Sequence, residues 1–259
     1  MKKFAIATAA LAFTGTAHAA DMPLKAPPLP IVTAYDWSGF YGDFDIGGGR
    51  SRLHWTYANP DPLTAMPFSG STTDPVAGGH VGFQQEFFSW LVLGVEGGVA
   101  INMNNSYSTS TSNGTTAGVC TGGAGVACQM HISMPIDTVG GKLGVAWNDW
   151  LFYGVGGAAW SEVQSQVVLL TGALFDTAAA SRRGTYAGGG FDYVFFKGTL
   201  VDMIAGVEYE HVDLKSGLLT VAPDGFLATG PNARTISAKE DIVLAKLTLK
   251  WNPWTQPHP

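Results

Sequence analysis

The sequence predicts an all-β protein: a closed antiparallel eight-stranded transmembrane up-and-down barrel, with short periplasmic turns and long extracellular loops. Three observations carry this. In eight separate stretches apolar residues alternate with small or polar ones at every second position, the period of a strand and not of a helix. The connections between those stretches alternate between short and long, the layout of an outer-membrane barrel. Tryptophan gathers at the ends of the stretches and never in their middles, as indole does at membrane–water interfaces.

Composition agrees. Charged residues are 13% of the 259, and glycine supplies 34, against typical shares of roughly 25% and roughly 7%. Hydrophobic residues reach 46%, yet no apolar run after Ala19 has the roughly 20 residues of a spanning helix. Residues 1–19 read as a secretory signal. Lys2 and Lys3 form its basic start, Phe4–Phe13 its apolar stretch, and Ala17-His18-Ala19 its small-residue cleavage site. Removing those two lysines leaves 12 basic and 20 acidic residues, a net charge of −8. A chain this acidic has no basic stripe for nucleic acid.

Residues 20–36, with four prolines, read as a Pro-rich periplasmic leader; 37–251 as the barrel; 252–259 as a tail. The first stretch turns Phe40, Phe44 and Ile46 to one face, with Tyr41, Asp43 and Asp45 on the other. The second opposes Val81, Phe83 and Phe87 to His80, Gln84 and Glu86. In the third, Leu91, Leu93, Val95, Val99 and Ile101 oppose Glu96 and Asn102. The fourth sets Val139, Leu143, Val145 and Trp147 against Thr138 and Lys142. The fifth assigns Leu151, Tyr153 and Val155 to lipid, against Gly154 and Gly156. The sixth opposes Ala187, Phe191 and Tyr193 to Gly188, Gly190 and Asp192, and the seventh Val201, Met203, Val207 and Tyr209 to Asp202, Glu208 and Glu210. The eighth sets Val243, Ala245, Leu247, Leu249 and Trp251 against Lys246, Thr248 and Lys250. Tight turns fall at Phe88-Ser89, Asn148-Asp149 and Lys197-Gly198; long loops fall at about 51–79, 104–131, 162–183 and 215–240.

Trp37, Trp90, Trp147, Trp150, Trp251 and Trp254 form the expected girdle at the short-turn rim, with Trp55 and Trp160 near the opposite rim. Only a closed barrel pairs every backbone polar group when strands cross hydrocarbon.

The leader followed by "YDWSGFYGDFDIGGG", then "GGHVGFQ", "LGVEGG", "GGKLGVAWNDWLFYGVGGAAW" and "GVEYEHVDL", resembles the small outer-membrane β-barrel proteins of alphaproteobacteria, the opacity-like porin group. The resemblance runs from about Tyr35 to Trp251. It implies an eight-stranded barrel in the outer membrane that contributes to envelope integrity and cell-surface contacts, some members being porins. Members of the group commonly end on an aromatic residue read by the barrel-assembly machinery. Here "NPWTQPHP" follows Trp251.

The expected lumen-facing polar set is Asp43, Asp45, Glu86, Glu96, Lys142, Asp192, Glu208, Glu210, Lys246 and Lys250. Seven acids and three lysines in a narrow lumen should pair in part, since an isolated buried charge is costly. Two readings stand: a structural polar plug, or a narrow porin-like channel with weak cation preference, since rings of acids select cations. The histidines are scattered. His211 with Glu210 and Asp213 is the one cluster worth testing as a hydrolase centre, and no local motif names a nucleophile. No cofactor motif or metal-binding His pair is present. Cys120 and Cys128, in an exported chain, read as a disulfide; a metal site is the alternative, although C-x7-C is not a zinc spacing. Expected partners are outer-membrane lipid and lipopolysaccharide, the assembly machinery, and host-surface or phage contacts through the long loops.

Overall fold

The computed structural model describes residues 34–57, 68–104, 108–111, 126–169, 174–218 and 234–251. They form the strands β1 (Gly39–Tyr57), β2 (Phe68–Phe87), β3 (Leu91–Asn102), β4 (Ser108–Thr111), β5 (Val126–Trp147), β6 (Trp150–Leu169), β7 (Leu174–Phe196), β8 (Val201–Leu218) and β9 (Arg234–Trp251). Sequential strands pair antiparallel, and β1 pairs with β9 from Phe40↔Trp251 to Tyr57↔Arg234. The short β4 pairs with the far half of β5, through Ser108↔Met130, while β3 pairs with the near half. Together β3 and β4 fill one position, so eight positions close a ring through the β3–β5 and β1–β9 ladders, while β4 is laddered to β5 alone.

The strands overrun the sequence expectation. β1, β2, β5, β6 and β7 hold 19 to 23 residues, about twice the 9–11 that a tilted strand needs to cross hydrocarbon. Much of what reads as long loop is therefore ladder. Ser51–Tyr57 belongs to β1, Phe68–Gly79 to β2, Val126–His131 to β5, and 215–218 and 234–240 to β8 and β9. These segments lack apolar alternation because their outer face meets water, where charge is free: Arg50, Arg52 and Lys239 point outward there.

Alternation sets the faces. On β9, Ile236, Ala238, Glu240, Ile242, Leu244, Lys246, Thr248 and Lys250 are buried, whereas Val243, Leu247 and Trp251 are exposed. Phe44 on β1, at 70% exposed, and Val95, Leu143, Phe191 and Val207 on other strands complete an outer apolar band. β6 departs from expectation. Leu151, Tyr153 and Val155 are buried in the lumen, and Trp150 and Phe152 face out. The turn explains it. Only Asn148 and Asp149 separate the paired residues Trp147 and Trp150, and directly opposed residues share a face. Trp147 faces lipid, so Trp150 must, and Leu151 then points inward.

Trp37 also corrects the expectation. It is 0% exposed, inside the short-turn mouth and not on the lipid boundary. Trp90, Trp147, Trp150, Trp160 and Trp251 are exposed on the outer face. Trp254, Cys120, residues 1–33 with the signal and most of the leader, and the tail 252–259 lie outside the described residues, as does the side chain of Trp55. Cys128 sits in β5 opposite Ser110 and Val167; its pairing with Cys120 falls outside the described residues.

Candidate functional site

The barrel interior is stratified. At the short-turn mouth, residues 34–38 fold under the strands. Tyr35 and Trp37 meet edge-on with ring centroids 5.0 Å apart. Tyr35 Oη donates to Asp202 Oδ2 at 2.7 Å, and burial with that carboxylate holds its hydroxyl well above the usual tyrosine range. Trp37 N donates to Glu86 Oε2 at 2.8 Å, and Gln84 Nε2 donates to the Trp37 carbonyl at 2.7 Å. Lys250 Nζ reaches the Asp36 and Ser38 carbonyls and stands 4.4 Å over the Tyr35 ring. The leader's last residues thus form a plug tied to three strands.

Above the plug lies a charged layer. Lys246 Nζ sits 2.5 Å from Glu208 Oε2 and 3.2 Å from Asp43 Oδ2. Lys142 Nζ lies 3.2 Å from Glu96 Oε2, between the rings of Tyr41 and Tyr153 at 4.6 and 4.3 Å. Those tyrosines donate in turn: Tyr41 to Glu96 at 2.7 Å, Tyr153 to Glu208 at 2.6 Å and more loosely to Asp192 at 3.5 Å. His80 completes the layer. Its Nδ1 is 2.8 Å from Asp45 Oδ2 and 3.2 Å from Asp43 Oδ1, and its Nε2 is 3.7 Å from Glu210 Oε1. Glycines opposite make this possible. A Cβ at Gly98 would lie 2.0 Å from the imidazole, and one at Gly82 would lie 2.5 Å from the Tyr41 ring.

Beyond the charges the inner wall turns aliphatic. Leu53, Val76, Ile132, Ile136, Val163, Val212, Leu214 and Ile236 are all buried there. Among them sits Glu240, paired in register with Ser51 and above the lipid-facing run Val243–Trp251. Among the described residues, neither of its oxygens meets a hydrogen-bond partner within bonding geometry. Burial pushes its carboxyl up to about 7, more than the nearby Ser51 and Asn102 offset, and Asp74 adds to the rise.

The ten polar residues expected inside are placed as follows. Asp43, Asp45, Glu96, Lys142, Asp192, Glu208, Glu210, Lys246 and Lys250 are buried, and Glu86 is half-buried at the mouth. Sequence reasoning did not single out the tyrosines 41, 153 and 186, nor the role of His80. Strand parity places Tyr41 and His80 on the polar faces, so that signal was present. Tyr153 was hidden by the inverted assignment of β6. The hydrolase cluster is not assembled. His211 and Glu210 are neighbours on one strand and point to opposite faces. Glu210 is buried in the lumen, His211 binds Asp241 Oδ1 outside at 2.7 Å, and Asp213 pairs with Lys239. Hydrogen bonds from His211 and Tyr209 hold Asp241 below the ordinary carboxylate range.

The chain matches no protein-family model. Over 243 residues it is 26% identical to the 31 kDa outer-membrane immunogenic protein of Brucella melitensis and, equally, to that of Brucella suis, with 91% of this chain and 97% of each relative covered. Among solved structures it is similar to Neisserial surface protein A (15% identity, 83% of this chain and 98% of that chain, TM-score 0.35). It is also similar to the outer membrane protease OmpT of Escherichia coli (8%, 85% and 99%, TM-score 0.44). Likeness at those scores adds nothing to the ring described above. A closed lipid-banded ring of eight strand positions, joined to near full-length similarity with the Brucella protein, leads to one conclusion: the chain is a small outer-membrane β-barrel protein, similar to those of alphaproteobacteria, and resides in the bacterial outer membrane.

Proposed function

We propose that this is a non-enzymatic, non-conducting barrel that contributes to envelope integrity and presents its long-loop rim to the cell exterior. The observation that carries the reading is the layered, buried interior: the charged layer lies between the Tyr35–Trp37 plug and the aliphatic wall around Leu53, Ile136 and Ile236. A conducting pore needs a continuous wetted path through binding sites an ion can enter and leave, and this layering opposes one. Outer-membrane lipid surrounds the apolar band, and lipopolysaccharide headgroups meet the outward Arg50, Arg52 and Lys239 just beyond it. Trp251, at the end of β9, serves as the terminal aromatic for the assembly machinery. The Brucella relatives are named as immunogenic; by that likeness, antibodies raised to this protein should bind intact cells, as would host-surface or phage partners.

Planar-bilayer recording of the purified chain tests the central claim. Reconstituted protein should leave the bilayer silent. Discrete, stable conductance steps lost on Glu96→Gln and Glu208→Gln would replace the reading with a cation-preferring channel. Turnover of peptide or lipid ester abolished by His211→Ala would replace it with a hydrolase.

A further inference from the structure

We propose that the lumen binds one divalent transition-metal ion, held by His80 Nε2, Glu208 and Glu210. The imidazole faces carboxylates on both sides. On its Nδ1 side, Asp45 and Asp43 are within hydrogen-bond distance and the Asp43 carboxylate also receives the His80 backbone N–H. With Nδ1 committed to those carboxylates, Nε2 is the ring nitrogen left to face Glu208 and Glu210, and a metal ion binding there displaces any proton it carries. A carboxylate behind a histidine in this way is the usual support of a metal ligand.

Nε2 points at acids. The relevant atoms of His80, Glu208 and Glu210 all lie within 4.8 Å of one another. Glu208 and Glu210 have 0% and 2% of their side chains exposed. Glu208 Oε2 is used by Lys246 and Tyr153, but Glu208 Oε1 and Glu210 Oε1 are buried without any hydrogen-bond partner among the described residues. Two such oxygens beside one imidazole nitrogen are costly unless something electropositive joins them.

A protonated Nε2 would make an ion pair with Glu210 and no hydrogen bond. Nε2 stands 3.7 Å from Glu210 Oε1, beyond hydrogen-bond length. With bonds of about 2.0–2.1 Å, two ligands of a tetrahedral ion stand about 3.4 Å apart, so Glu210 needs a small inward adjustment and Glu208 closes in from within 4.8 Å. Charge favours the ion as well. Asp43, Asp45, Glu208 and Glu210 surround the imidazole, and Lys246 is the ammonium ion-paired within that group. One nitrogen with carboxylate oxygens suits zinc, manganese or iron(II), whereas calcium and magnesium take oxygen alone.

The test unfolds the full mature chain in urea with chelator, then refolds it in detergent with Zn2+ or Co2+ present, so that the ion enters before the barrel closes, and removes unbound ion by dialysis. A Cys120→Ser/Cys128→Ser background removes thiol ligands. Elemental analysis should find about one Zn2+ per chain in both backgrounds, and Co2+ should give visible d–d absorption. Glu210→Gln, which keeps the side chain's size and removes its charge, should lower affinity tenfold or more while the unboiled gel mobility stays that of a folded barrel. Asp45→Asn should lower it about tenfold through the support of His80, and His211→Ala should change nothing. Absence of stoichiometric metal in the folded wild-type chain would overturn the proposal. So would retention in folded Glu210→Gln, or loss in the cysteine-free background. Conductance is not read, so this outcome and that of the sealed-barrel reading are independent.

Discussion

Gly98 shows how one residue without a side chain permits the chemistry of another. It lies opposite His80 on the neighbouring strand, and a Cβ there would overlap the imidazole at 2.0 Å. His80 is bound to Asp43 and Asp45, so it cannot swing away without leaving two buried carboxylates short of a partner. Gly98→Ala should therefore destabilise the barrel by about 1–3 kcal/mol, the usual range for overpacking. Gly97→Ala, where the nearest atom is Thr138 O at 3.5 Å, should cost well under that. Urea unfolding of barrels reinserted in lipid vesicles checks both. Backbone strain acts elsewhere at the same scale. Phe88 and Ser89 both hold positive φ, at 56° and 59°, where L side chains are disfavoured. Ser89→Gly in that turn should stabilise by about 0.5–1 kcal/mol in the same assay.

The strand is the scale at which parity decides function, and the β5–β6 hairpin shows both what the sequence reveals and what it hides. Alternation alone assigns a face to every residue of a strand but leaves open which face is lipid; for β6, where glycine fills one side, hydrophobicity points the wrong way. The two-residue turn resolves it, since Trp147 and Trp150 must share a face. Cysteine placed at Phe152 should react with a membrane-soluble maleimide and cysteine at Leu151 should not; equal labelling would restore the inverted assignment. Strand length escaped for a related reason. Past Gly48 the outer face of β1 changes from Phe44 and Ile46 to Arg50 and Arg52 while Ser51 and Leu53 stay buried, so the alternation persists with its hydrophobic side reversed. Hydrophobic patterning tuned to lipid reads such a stretch as loop. The charged layer, by contrast, was legible because acids and lysines fall on one parity of strands whose other parity is plainly apolar.

Glu240 belongs to that reversed portion of β9, and its burial has a pH consequence. Its carboxyl rises from an ordinary 4.5 to about 7 in the folded barrel. Between those values the folded state binds more protons than the unfolded chain, so stability falls as pH rises across the window. The contribution is fully present below about 4.5 and gone above about 7, an amount of about 3 kcal/mol. Unfolding midpoints measured from pH 4 to 8 should slope downward in the wild type across this window. The slope should shrink in Glu240→Gln. A wild-type profile unaffected by that substitution would mean that Glu240 is ionised and paired in solution.

On the scale of the whole molecule, the barrel inverts the arrangement of a soluble protein over part of its height and restores it over the rest. Where lipid surrounds it, apolar residues lie outside and charges within; where water surrounds it, charges lie outside and Leu53, Ile136, Val212 and Ile236 within. The outer apolar band gains little from packing, because lipid tails are as apolar as leucine. Stability in the first zone comes from the backbone ladders, the paired charges and the inward apolar residues Leu151, Val155 and Ile204. On the proposed sealed-barrel reading, this layering supplies two seals in series: an aromatic plug at the periplasmic mouth and an aliphatic core toward the exterior. Removing one should leave the other closed. Trp37→Ala deletes a wholly buried indole, its edge contact with Tyr35, and the packing that positions the backbone bonded to Glu86 and Gln84. It should cost about 3–5 kcal/mol yet, on that reading, leave the bilayer electrically silent, the buried wall from Leu53 to Ile236 being the second seal. Steady conductance in Trp37→Ala alone would locate the whole barrier in the plug and leave the outer core a purely structural part.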